Sequence, residues 1–227
     1  MPNNISAEAQ GLIQMMRGGS YSLARDVLKH RVWDSRYFPN TTISDATFFT
    51  QPQNSQWKAG AGLKTPTETN MIVGSQLPNG QVFVAVRMGV SFCSMSVPAT
   101  VNAGDLVQSF YNIMQNSVFE VKIQGREWDY QIHGTEFLPM PVAISGESTV
   151  VTAVGAQTRI GDNIASGWSK LDPTPIVIDN QVTFSVSQKI TNADTAVMAL
   201  LNADSSLLFA AKSSLMVILE GLLTKAK

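Results

Sequence analysis

Between Val82 and Phe92 every even-numbered residue is apolar: Val82, Val84, Val86, Met88, Val90 and Phe92, with Phe83, Ala85, Arg87, Gly89 and Ser91 between them. Successive side chains on an extended backbone point to opposite sides, so a period of two held this long marks a strand with one buried face. The run is entered through the turn-forming Pro78-Asn79-Gly80. Such a strand requires a sheet around it, with the even residues expected inside.

Other segments supply that sheet. "DATFFTQ" (45–51) is rich in strand formers and ends at Pro52; "QNSQWKAGAGLKTPTETN" after it has no period and reads as a long loop. From Val118, Phe119, Val121 and Ile123 alternate with Glu120, Lys122 and Gln124; "GRE" then turns the chain, and Trp128, Tyr130 and Ile132 complete a hairpin. Weaker strands are expected at 148–155, 175–178 and 181–187, the last two joined by "DNQ" as a second hairpin with Val182, Phe184 and Val186 inward. The run 156–174, with Gly161, Gly167 and Pro173, reads as a loop. Residues 214–220 are apolar on both faces, which places the final strand inside a sheet.

Two regions depart from this period. Asn102 and Asp105 open a helix over about 103–116, whose stripe Leu106, Phe110, Ile113 and Met114 is expected to lie across an open end of the sheet. Residues 6 to about 33 also read as helical, capped by Ser6, broken at Gly18-Gly19 and resumed from Ser22 through "SYSLARDVLKHRVW". The expected organisation is a helical arm over 1–40 and one all-β domain over 41–227: a two-sheet sandwich of about eight strands, jelly-roll or immunoglobulin-like. On that reading residues 1–36 can be removed without unfolding the sandwich. "TNAD" and "LNAD", ten residues apart, read as turns or helix caps rather than an ion site.

Little in the chain looks like chemistry. Cys93 is the one cysteine, which excludes an internal disulfide and gives the immunoglobulin version no support. His30 and His133 are far apart in sequence, so a Cys93/His catalytic pair is disfavoured. His133 with Glu136 falls short of the two or three His or Cys ligands of a metal site, and "GAG" at 60–62 lacks the context of a phosphate loop. No enzyme activity, cofactor or metal is expected. A formal charge of −1 offers no net field to attract nucleic acid, and the N-terminus has no export signal, so synthesis in the cytoplasm is expected. Only 15% of residues are charged, against about 25% in ordinary soluble domains. A surface so poor in charge suits close contact with other protein. Candidate contact residues are Arg25, Lys29, Arg31 and Trp33 in the mildly basic N-terminal region, and Trp57 and Trp168 in predicted loops, Trp being enriched at interfaces.

Taken in order, "DATFFTQP", "TNMIVGSQLPNGQVFVAVRMGVSF", "VFEVKIQGREWDYQIHGTEFLPMP", "PIVIDNQVTFSVSQ" and "SLMVILEGLLTKA" resemble the capsid proteins of small tailless icosahedral bacteriophages. The likeness spans about residues 44–225 and includes an "LxG" step in the last strand, Leu219-Glu220-Gly221. It implies a single jelly roll, located in the virion, that self-associates as trimers or as pentameric and hexameric units. Its partners would be other virion proteins and, in some particles, an internal membrane. The N-terminal helices and the long 192–213 stretch depart from the pattern. The alternative is a phage fibre or carbohydrate-binding sandwich that uses the loop tryptophans.

Overall fold

The computed structural model describes residues 27–40, 42–56, 62–94, 103–124, 130–138, 168–171, 176–180, 182–190, 192 and 194–225. Its strands are β1 (Val27–Tyr37), β2 (Ala46–Phe48), β3 (Gln81–Ser94), β4 (Ser117–Ile123), β5 (Tyr130–His133), β6 (Trp168–Lys170), β7 (Ile176–Asp179), β8 (Phe184–Ile190) and β9 (Ser213–Lys225). Helix α1 spans Ala103–Gln115 and helix α2 spans Thr195–Ala210.

The strands form two antiparallel sheets. In the first, the order is β1-β9-β3, and the far edge of β3 is shared end to end by β7, opposite Val82–Ala85, and β6, opposite Arg87–Gly89. In the second the order is β2-β8-β4-β5. Phe83, Met88, Val217 and Leu219 from the first sheet meet Phe48, Phe119, Phe184 and Val186 from the second in one buried core. The expected all-β sandwich is present, and β9 lies between two neighbours as its two apolar faces require.

The phase of β3 is not uniform. Its register with β9 slips between Ala85 and Arg87, which makes Val86 an unmatched bulge residue. The Val86 carbonyl accepts the Leu171 N–H at 3.0 Å instead. Before the bulge Phe83 and Ala85 enter the core, and after it Met88, Val90 and Phe92 do. One extra residue reverses the face of every side chain beyond it. The expectation that all even positions face inward therefore holds only after Val86.

Three further expectations are corrected. Val27–Trp33, read as helix, is the first part of β1, an eleven-residue strand paired with β9. The ladder with β9 outweighs helix-compatible spacing, as tertiary partners commonly do. Removal of residues 1–36 would thus excise a core strand carrying Val32 and Asp34. The 175–178 and 181–187 segments are not a hairpin: a turn closes between them, with Val182 N–H donating to the Asp179 carbonyl, but β7 joins the first sheet and β8 the second. Trp168, expected in a loop, is in β6. The helical reading of residues 6–26, the strand at 148–155, Asn102 and Trp128 lie outside the described residues.

The two helices pack on each other. The α1 stripe is as expected, with Leu106, Ile113 and Met114 buried and Phe110 stacked on Phe92 at 4.7 Å. Asp194 of "TNAD" caps α2, accepting from the Ala196 and Val197 amides. "LNAD" is no cap, because it lies within α2. There Asp204 accepts from Ser109 Oγ at 2.8 Å and Asn112 Nδ2 at 3.0 Å on α1. Asn202 Oδ1 accepts the Ile43 N–H at 2.8 Å.

Candidate functional site

The register of the first sheet fixes which side chains share its outer face. Arg31 on β1 is opposite Glu220 on β9, which is opposite Arg87 on β3; the next such row is Trp33, Ile218, Gly89 and Trp168. Cross-strand partners point to the same side. A row of charge therefore runs beside a row of two tryptophans.

Glu220 organises the charged row. Its side chain is 3% exposed and receives Arg31 Nε at 2.6 Å, Lys29 Nζ at 3.2 Å and Arg87 Nε at 2.9 Å, with Arg87 Nη2 also in contact. Burial pushes the Glu220 carboxyl up, but the hydrogen bonds from Arg87, Arg31 and Lys29 outweigh it and hold it at about 2. The cations keep much of their surface: Lys29 is 67%, Arg31 54% and Arg87 39% exposed. The Trp168 ring lies over Gly89, where an added Cβ would come within 2.7 Å of it. The Arg87 and Arg31 guanidinium carbons are 4.9 and 5.4 Å from the ring centroid. Trp33 is held from the loop side, its N–H donating to Asn70 Oδ1 at 2.9 Å and its Nε1 to the Pro66 carbonyl at 3.3 Å.

Four of the six residues singled out in the sequence, Lys29, Arg31, Trp33 and Trp168, thus share one sheet face. Arg25 and Trp57 lie outside the described residues. Arg87 and Glu220 were not singled out, although each is a charge flanked by mostly apolar residues within its strand, a visible signal.

Two other ion clusters serve structure. Lys64 Nζ and Asp34 Oδ1 are 2.5 Å apart with both side chains almost fully buried, and Asp34 Oδ2 accepts the Phe49 N–H at 2.7 Å. This pair ties the loop after β2 to β1. Burial pushes the Asp34 carboxyl up and the Lys64 ammonium down, each offset in part by the other's charge. On the second sheet Glu120 accepts from Lys189 at 2.7 Å, and Lys122 lies 3.6 Å away.

Cys93, His30 and His133, the residues weighed for a reaction centre, are apart in the described structure. Along the ladder Cys93 is opposite Ser214, whereas His30 is opposite Gly221, seven residues further on; His133 is in the second sheet, its Nδ1 2.8 Å from Thr135 Oγ1. Glu136 accepts from Ser169 Oγ at 2.8 Å. Among the described residues no group of three His, Cys, Asp or Glu is placed to hold a metal ion, and no helix is long and apolar enough to cross a membrane. No protein-family model, curated protein or solved structure matches the chain.

Proposed function

We propose that this chain is a jelly-roll capsid subunit, a structural protein that works by self-association. The observation that carries this reading is the strand order. With β6 and β7 taken as one interrupted strand, eight strands form β1-β9-β3-β7 against β2-β8-β4-β5. Taking the described strands in chain order, every step changes sheet except β4 to β5, the order expected of a ribbon rolled on itself in a jelly roll. The quoted phage-like segments fall on seven of those strands, β2, β3, β4, β5, β7, β8 and β9.

Surfaces for lateral contact are available. The loop between β2 and β3 exposes Leu63, Ile72 and Val73, and α2 exposes Leu200 and Phe209. Apolar side chains offered to water in this way favour burial against a second copy. A carbohydrate-binding sandwich is less well supported, because the Trp168 ring is flanked by two guanidinium groups rather than by the neutral hydrogen-bonding groups a sugar platform uses.

Electron microscopy and sedimentation of the full-length chain test the proposal. Closed shells, regular arrays or symmetric rings are expected, and Ile72→Asp or Phe209→Asp should weaken them without changing the circular dichroism spectrum. A chain that stays monomeric across concentration, salt and pH would overturn it.

A further inference from the structure

The outer face of the first sheet carries a charge imbalance that the fold does not use. Three cations, Lys29, Arg31 and Arg87, converge on one carboxylate, Glu220, so three minus one leaves two net positive charges on a chain whose formal total is −1. Arg31 engages Glu220 through Nε alone, and its terminal nitrogens make no hydrogen bond to a described residue. Lys29 has donors to spare for the same reason.

We infer that this face binds single-stranded nucleic acid through its phosphates, without reading base sequence. Glu220 fixes the cations before any ligand arrives, which lowers the ordering cost of binding. The guanidinium forks suit phosphate oxygens. Trp33 and Trp168 stand in the neighbouring row, and with Ile218 and Gly89 between them the row crosses four strands, roughly 14 Å at about 4.8 Å per strand. A basic row on a sheet face can follow a phosphate backbone while Trp33 beside it offers a ring to an unpaired base; Trp168, already between Gly89 and the two guanidinium groups, holds Arg31 and Arg87 in the row. An anionic bilayer is a poorer fit, because it favours cations that protrude and apolar groups that insert. Here Arg31 and Arg87 are drawn onto Glu220, and Trp168 lies against Gly89. The inference does not require shell formation, so its failure and the failure of assembly are separate results.

Fluorescence anisotropy of a labelled oligothymidine with the full-length chain is the test. Neutralising two phosphates on a single strand predicts a slope of about −1.4 in log affinity against log salt, or about a sevenfold loss between about 50 and about 200 mM. Lys29→Ala should weaken binding for all base sequences alike and cut the slope by about half. Lys29→Glu, which brings the cluster to zero net charge, should abolish binding while the circular dichroism spectrum stays that of the folded chain, at a lower unfolding midpoint because Glu220 loses a partner and gains a like charge. Lys212→Glu makes the same change in total charge at the turn before β9, well away from Glu220 along the strand, and should have no effect. Absence of binding at low salt, an equal loss with Lys212→Glu, or tighter binding to phosphatidylglycerol vesicles than to oligothymidine would overturn the inference.

Discussion

Replacing Glu220 by Gln gives the most demanding test of the charged row. The folded-state value of about 2 lies well below the ordinary 4.5, a gap of about 2.5 units that corresponds to about 3 kcal/mol favouring the ionised form. The cations are roughly 40 to 70% exposed, and solvent screening reduces the figure to about 2 kcal/mol. The sign follows from linkage: a carboxyl depressed on folding contributes its full stability above pH 4.5 and loses it as pH falls toward 2. Denaturant unfolding of wild type and Glu220→Gln should therefore differ by about 2 kcal/mol at pH 7, and the difference should close as pH falls from 4.5 to 2. Other carboxylates titrate in both proteins and cancel in that comparison. A variant within about 0.5 kcal/mol of wild type at pH 7, or a gap that persists at pH 2, would refute the view that Glu220 is held ionised by its three partners.

Further outcomes follow from the packing. Gly221→Ala would drive a Cβ into the Val84 carbonyl, so a loss of about 3 kcal/mol is expected in denaturant unfolding, at the upper end for overpacking because backbone is what it meets. Lys64→Met leaves Asp34 buried without its partner and should cost about 3–5 kcal/mol, while the double variant Asp34→Asn/Lys64→Met should recover most of that, measured as a double-mutant cycle. Asp204→Ala removes the acceptor that joins the two helices and should cost about 1–3 kcal/mol, with faster hydrogen exchange in α1 and α2. Deletion of residues 1–36 should abolish the cooperative thermal transition, because it removes most of β1.

Strands whose own pattern matched their burial were legible in the sequence. β4 showed its alternation, β9 its two apolar faces, and α1 its stripe. β1 was not legible, because its apolar residues also fit helical spacing and only the ladder with β9 decides between the two. The bulge at Val86 was equally hidden: all-apolar even positions conceal a change of face when Phe83 and Ala85 also suit the core. "DNQ" reads as a hairpin turn from local chemistry, and nothing local reveals that the strands it joins belong to different sheets. The candidate surface was legible only in pieces. Lys29, Arg31, Trp33 and Trp168 were visible as residue types, but their meeting on one face depends on pairings between β1, β9, β3 and β6, which span most of the chain.

The position of β9 also sets the order in which the protein can be made. It is synthesised after every other described strand, yet it lies between β1 and β3, so the first sheet cannot close while the last thirteen described residues remain in the ribosome. Until then two long strand edges emerge unpaired, a state open to mispairing with neighbouring nascent chains. Emergence of β9 from the ribosome is thus the event that closes the first sheet. A copy truncated before β9 would be barred from any assembly that requires the closed form.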